Sequence, residues 1–206
     1  MMFAANDEKR CELPAGFDYH PALLDARESD ALFHTLQLRV NWRRERIRLF
    51  GRDVDVPRRV AWCGDDGLMY RYSGQEHRAT GWLPALAAVR ERAQRLSGTT
   101  FNFVLLNYYR DGNDAMAWHS DDEPELGLRP CIAAVSVGAT RALRVRPKAR
   151  PASGRRQSVS VSLASGSLLL MTGASQRDFD HCIPRVSNAG PRISLTFRRL
   201  DKASVR

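Results

Sequence analysis

Paired cysteines are missing from this chain. Cys11, Cys63, Cys131 and Cys182 are scattered and form no CxxC pair, whereas structural zinc usually recruits several cysteines at close spacing. Scattered thiols fit a reducing setting, so a cytoplasmic protein is expected, nucleoid-associated if bacterial. No apolar run approaches the roughly 18 residues of a membrane span. The start, Met1 to Pro14, has acids, Lys9 and Arg10 but no sustained apolar core, and so does not resemble a secretory signal. Low-complexity linkers and internal repeats are absent too. At 206 residues the chain suits one domain with a substantial core, and a monomer is expected.

Positive charge, by contrast, is plentiful. There are 32 Lys+Arg against 23 Asp+Glu, a net charge of +9 and a pI near 10.0. Such a balance favours polyanionic partners, because neutralising phosphates releases condensed counterions. The charge is also clustered: Arg141, Arg144, Arg146, Lys148, Arg150, Arg155 and Arg156 share a stretch without acids, broken by Pro147, Pro151, Ser153 and Gly154, and Arg43, Arg44, Arg46 and Arg48 precede Phe50. Charge runs are usually solvated faces, so each cluster is only a candidate phosphate contact.

Three residues offer metal chemistry. In an extended segment, side chains at i and i+2 emerge on one face, so His119 and Asp121 can converge on one ion while Ser120 points away. His181, in Phe179-Asp180-His181-Cys182-Ile183-Pro184, can return to the same place if the intervening strands wind round a small barrel. Two imidazoles and a carboxylate, without thiolate, suit a redox-active Fe(II) with open positions. An isolated HxD is weak, and a lone histidine is more often an ordinary buried one.

The strand Arg192-Ile193-Ser194-Leu195-Thr196-Phe197-Arg198 strengthens the reading. Its polar residues share one face and its apolar residues the other. Ordinary half-buried strands turn the polar face to water. A barrel whose lumen holds an anion inverts that arrangement, and an arginine fork matches a carboxylate through parallel, charge-assisted N–H donors. Asn107 and Tyr109, on one face of Phe101 to Tyr109, add an amide and a phenol just before the metal motif.

The coarse pattern predicts an α+β chain with helices first and strands later. Asp25 followed by Glu28 resembles a helix start, with Ala31, Leu32 and Leu36 as a short apolar stripe. A second helix is predicted from about Trp82 to Leu96, stopped by Gly98. Short β-prone segments follow at Phe101 to Tyr109, Ile132 to Val137, Ala142 to Arg146, Ser158 to Leu163, Ser167 to Met171, His181 to Val186 and Arg192 to Leu200, the signature of a sandwich or barrel.

Taken together, Asn107-Tyr108-Tyr109, His119-Ser120-Asp121, His181 and Arg192 through Arg198 resemble the AlkB family of Fe(II)/2-oxoglutarate-dependent dioxygenases. The resemblance continues through Leu49-Phe50-Gly51, Val56-Pro57-Arg58-Arg59, Cys63-Gly64-Asp65, Tyr70-Arg71-Tyr72-Ser73-Gly74, Phe101-Asn102-Phe103-Val104 and His119-Ser120-Asp121-Asp122-Glu123, across roughly residues 40 to 200. These blocks are similar to the branch acting on double-stranded DNA. Ser194 departs from the asparagine common in the family's R-x-N-x-T-x-R pattern, and Tyr72 stands where the duplex branch often has phenylalanine.

The resemblance implies a double-stranded β-helix (jelly-roll) core over residues 101–200, with an N-terminal extension over 1–100 whose helices pack on the major sheet, and a short tail at 201–206. It implies Fe(II) held by His119, Asp121 and His181, with O2 as oxidant. It also implies 2-oxoglutarate as co-substrate, its far carboxylate on Arg192 and its pocket completed by Asn107, Tyr109 and Arg198. The implied activity is oxidative demethylation of N-alkylated bases such as 1-methyladenine and 3-methylcytosine in DNA, with decarboxylation of 2-oxoglutarate to succinate and CO2 and release of formaldehyde.

On the substrate side, the resemblance assigns Phe50 as a wedge filling the gap left by a flipped base, which offsets part of the few kcal/mol that unstacking costs. Tyr70 and Tyr72 are candidates to stack on the base, Glu123 to meet its edge, and Arg58 to orient the lesion pocket or pair with an acid. Alkylated DNA, double-stranded by Phe50 and the basic clusters, is the expected partner. An RNA demethylase, a small-molecule 2-oxoglutarate oxygenase and a non-catalytic nucleic-acid-binding module are the competing readings.

Overall fold

The structure, a computed structural model, describes residues 12–49, 51–72, 75–79, 81–151 and 154–201; residues 47–49, 53, 70–72 and 75–77 are described by their backbone alone. The elements run β1 (Phe17–His20), α1 (Ala26–Arg39), β2 (Arg43–Leu49), β3 (Arg52–Gly64), β4 (Met69–Tyr72), β5 (Gln75–Arg78), α2 (Pro84–Ser97) and β6 (Phe103–Tyr109). They continue with β7 (Met116–His119), a 3-10 turn at Pro124–Leu126, β8 (Ile132–Gly138), β9 (Arg141–Pro147), β10 (Val159–Leu163), β11 (Leu168–Met171), α3 (Ser175–Asp178), β12 (Phe179–Ile183) and β13 (Arg192–Arg198).

Two antiparallel sheets face each other. The larger has the order β1-β11-β8-β13-β6-β3-β2 and the smaller β10-β9-β12-β7, while β4 and β5 form a ribbon of their own. Between the sheets lie Phe103, Leu105, Ile132, Leu143, Val145, Val161, Leu163, Leu169 and Ile183. The outer face of the larger sheet, through Val104, Leu106, Val135, Val137, Ile193, Leu195 and Phe197, packs under α1 and α2. This is the expected jelly-roll with helices on its major sheet. Among the described residues, no helix is long and apolar enough to cross a membrane.

Local chemistry fixes the helices. Asp25 accepts the Glu28 N–H at 2.7 Å while Glu28 accepts the Asp25 N–H at 3.0 Å, a reciprocal cap that satisfies two donors at the start of α1. α2 opens on Pro84 and ends at Gly98, whose φ of 66° suits a residue lacking Cβ. Arg92 on α2 grips the Glu28 carboxylate through two N–H groups at 2.8 and 2.5 Å, joining the two helices. Under α1 the sheet needs a bare backbone: a Cβ at Gly138, where φ is 90°, would lie 2.6 Å from the Pro191 carbonyl oxygen and 2.9 Å from the Phe33 ring.

Helices first and strands later is not the order observed. Five strands, β1 to β5, lie in the N-terminal half, interleaved with α1 and α2. β2 escaped the periodicity because it is a charge-rich edge strand with Arg43, Arg44 and Arg46 exposed; in β3 the alternation of Val54, Val56, Val60 and Trp62 is interrupted by Pro57, Arg58 and Arg59. The segment expected from His181 to Val186 instead runs Phe179–Ile183, since Pro184 cannot donate to the ladder.

Candidate active site

Register brings the first two ligand candidates together. β12 pairs with β7 so that His181 lies opposite His119, and the ladder shifts between His181 and Ile183. The two imidazole centroids are 4.2 Å apart. Asp121, just beyond the end of β7, places Oδ1 3.7 Å from His119 Nε2, and one ligand atom from each of the three residues falls within 4.8 Å of the others.

Asp121 and His119 are held from behind. The Asp121 N–H donates to Gln176 Oε1 at 2.9 Å, and the Asp121 carboxylate meets Arg198 Nη2 at 2.9 Å, both side chains being 2 % exposed. His119 Nδ1 lies 2.9 Å from the Ala117 carbonyl; an acceptor there places the proton on Nδ1 and leaves Nε2 its lone pair. His181 Nδ1 is buried without a hydrogen-bond partner.

Charge states suit a cation. Burial pushes the Asp121 carboxyl up, but Arg198 and the two imidazoles outweigh it and hold it at about 2. Burial lowers His119 and, with help from the neighbouring His119, takes His181 down to about 3. At neutral pH the site therefore presents one carboxylate and two neutral imidazoles, the protonation states a metal requires.

The triad opens into a cavity lined by Asn107, Tyr109, Arg192, Ser194, Thr196 and Arg198 with apolar side chains from both sheets. All seven residues of β13 are buried, so its polar face looks into the lumen and its apolar face into the helices. Arg192, 1 % exposed, donates from Nη2 to Ser136 Oγ at 2.8 Å and lies 5.2 Å from the Tyr109 ring centroid. Its Nε and Nη1 are buried with no partner. Two donors of a buried guanidinium left unsatisfied are costly unless an anion completes them, and a carboxylate fits. The residues present thus fit both a divalent metal with a nitrogen and oxygen donor set and a small carboxylic acid.

The other expected residues divide. Asn107 lines the cavity, and its Oδ1 accepts from Arg58 Nε at 2.7 Å; Arg58 is buried beside it. Glu123 is half-buried just ahead of the 3-10 turn. Tyr70 and Tyr72 lie on β4, opposite His77 and Gln75, while Phe50 lies outside the described residues, flanked by strands that pair at Leu49 and Arg52. Arg141 does not belong with the solvated basic cluster: it is 2 % exposed because it opens β9 with its side chain directed inward. In the same cluster Arg146 and Arg156 both meet Asp180, at 3.1 and 3.5 Å. Gln176 and Ser136 escaped sequence reasoning because an amide and a hydroxyl carry no motif.

Fold and site together define a non-haem iron oxygenase, and the profile of the 2OG-Fe(II) oxygenase superfamily matches residues 16–198. The chain belongs to that superfamily, whose cofactor set is Fe(II), 2-oxoglutarate and O2. Within it the similarity is to AlkB homologues. The DNA oxidative demethylase ALKBH2 of Bos taurus is 40 % identical over 185 residues, covering 86 % of this chain and 66 % of that protein. Alpha-ketoglutarate-dependent dioxygenase alkB homolog 3 of Mus musculus is 38 % identical over 189 residues, covering 87 % and 64 %. ALKBH2 of Homo sapiens is 37 % identical over 188 residues, covering 88 % and 72 %. The chain thus spans just under two thirds of the length of the first two relatives. The solved structure of OsALKBH1 shares the fold, with a TM-score of 0.63 at 14 % identity over 91 % of this chain and 98 % of that one.

Proposed function

We propose that the protein oxidatively removes N-linked methyl groups from bases in DNA, 1-methyladenine and 3-methylcytosine among them, and accepts duplex DNA by flipping the damaged base. The observation that carries the reading is the pair of unsatisfied Arg192 donors in the cavity that also holds the triad. Similarity to DNA oxidative demethylases supports the substrate class.

In this reading His119, Asp121 and His181 hold Fe(II), and Arg192 takes the far carboxylate of 2-oxoglutarate with Asn107, Tyr109 and Arg198 around it. The bound cofactor set would supply the oxidation: one O2 and one 2-oxoglutarate are consumed for each methyl group, 2-oxoglutarate leaving as succinate and CO2 and the methyl carbon leaving as formaldehyde, with hydrogen restored to the base nitrogen. The chain positions and charges the reactants. Arg198 serves twice, neutralising Asp121 and lining the co-substrate cavity. Arg58 fixes the Asn107 amide by occupying its oxygen, which turns the NH2 group toward further acceptors.

On the substrate side, Tyr70, Tyr72 and Glu123 hold the extruded base, and Phe50 fills the vacated stack. Exposed arginines on β2 meet backbone phosphate. The protein acts as a monomer.

Incubation with Fe(II), 2-oxoglutarate and ascorbate on matched methylated oligonucleotides, read by mass spectrometry, tests this. Repair of DNA is expected, with Phe50→Ala lowering duplex repair more than single-strand repair. Faster turnover on methylated RNA would move the substrate to RNA, equal losses on both DNA forms would remove the wedge role, and no repair on any arm would overturn the reading.

A further inference from the structure

Arg141 is a buried cation with no carboxylate hydrogen-bonded to it among the described residues. Its fork donates only to main-chain carbonyls: Nη1 to Asp111 at 3.1 Å, and Nη2 to Asp114 at 3.0 Å and Pro184 at 2.6 Å. Its Nε has no partner. The carboxylates of Asp114 and Asp111 offset part of its charge without a hydrogen bond, and Asp114 is itself paired with Arg110 at 2.7 Å. Carbonyl dipoles soften the desolvation of a guanidinium but do not cancel its charge.

What the charge faces is Tyr109. The Arg141 guanidinium lies 5.7 Å from the centroid of that ring and the Arg192 guanidinium 5.2 Å from it. Tyr109 and Arg192 line the cavity, whereas Arg141 does not. Two cations therefore share one aromatic ring, one inside the cavity wall and one outside it. Burial lowers the pKa of both guanidiniums, and the like charge of Arg141 lowers that of Arg192 further. A dicarboxylate arriving at Arg192 relieves this surplus, while a monocarboxylate engaged only at the metal end does not.

We propose that Arg141 is a positioning residue for the co-substrate: a second cation behind Tyr109 that draws the far carboxylate onto Arg192 and makes the cavity select dicarboxylic over monocarboxylic 2-oxo acids. The inference rests on the cavity being the co-substrate site. Within a low-dielectric wall such a charge acts across a ring without touching its target.

Calorimetric titration of the Mn(II)-loaded protein with 2-oxoglutarate and with 2-oxopentanoate, which lacks the far carboxylate, reads the selectivity as a ratio of Kd values. Arg141→Gln keeps N–H donors for the carbonyls but loses the charge, and should lower the ratio about tenfold. Arg141→Lys keeps the charge and should hold the ratio within about twofold. Arg141→Met supplies a second neutral variant should glutamine compromise folding. An unchanged ratio in a folded neutral variant overturns the proposal, as does a lysine variant that falls as far as the neutral one. A wild-type protein that binds neither acid would overturn the site assignment instead.

Discussion

Two arginine-rich strands of this chain meet opposite fates. β2 reads RRERIRL and β13 reads RISLTFR. On β2, Arg43, Arg44 and Arg46 are exposed and Glu45 is buried; on β13, Arg192 and Arg198 are each 1 % exposed. Composition does not decide this, and position does. β2 ends the larger sheet, while β13 is hydrogen-bonded to β6 and β8 at its two edges and covered on both faces. A charge on a central strand must find a partner or attract one, so the arginines of β13 define chemistry. On β2, Arg43, Arg44 and Arg46 are exposed, Arg43 over the Trp62 ring at 4.7 Å and Arg46 against Asp55 at 3.3 Å; in the proposed reading these charges also meet phosphate.

Removing what the buried arginines answer to should have the largest effect. Loss of an outer-shell partner of a metal ligand costs about 10–100-fold in affinity or activity, and loss of a ligand should exceed that, so His119→Ala and Asp121→Ala should both abolish turnover. They should differ in stability. Asp121→Ala removes the buried carboxylate that meets Arg198 at 2.9 Å, a loss of about 3–5 kcal/mol by urea denaturation, whereas His119→Ala leaves that pair intact. Equal stabilities would break the contrast between buried and exposed arginine.

A sharper test pits strand against strand. Each hydrogen bond to a charged group is worth about 1.5–3 kcal/mol, so Arg192→Met should weaken 2-oxoglutarate binding by one to two orders of magnitude. A triple change of Arg43, Arg44 and Arg46 to Gln should leave that binding alone and alter stability by no more than about 0.5 kcal/mol. Its mark should be a shallower salt dependence of DNA binding, by up to about 0.9 in slope per lost phosphate contact. The reverse pattern would mean that burial is not what separates the strands.

The smallest effect concerns the ion pair between the helices. The Arg92 hydrogen bond comes first among the causes holding Glu28 at about 2, from an ordinary 4.5. Because the folded value is depressed, its stabilisation is fully present above the ordinary carboxyl value and is lost as pH falls through about 2. Thermal midpoints of wild type and Glu28→Gln should thus differ most near neutrality and converge in acid. A gap that widens in acid would contradict the pairing.

How much of this was legible in the sequence follows the same division. The triad and β13 could be read because function overrode the ordinary strand pattern there: polar residues at alternate positions had to face inward, and the sequence kept them despite their burial. α1 and α2 were visible through a cap and a helical stripe. Tyr70 and Tyr72, two apart, suggested the strand that became β4; β2, β3 and β5 were not read, β2 because a charge-rich edge strand needs no regular apolar face. Arg141 looked like one more member of a basic loop because a charge run does not reveal that its first residue turns into the fold. The Arg58 bond to Asn107 joins residues on adjacent strands, β3 and β6, and no local pattern encodes that partnership.

The ribbon of β4 and β5 has a consequence of its own. Its ladder is internal, and among the described residues it forms no rung with either larger sheet; the Trp62 indole N–H, donating to the Arg78 carbonyl at 2.9 Å, supplies a tie to β3. A unit attached in this way shares no backbone ladder with the strands that carry the ligand triad. If the ribbon holds the extruded base as proposed, the residues that select the base share no ladder with those that keep the ligand triad in register. Substitutions in β4 and β5 would then alter specificity while leaving the pairing of β7 with β12 intact.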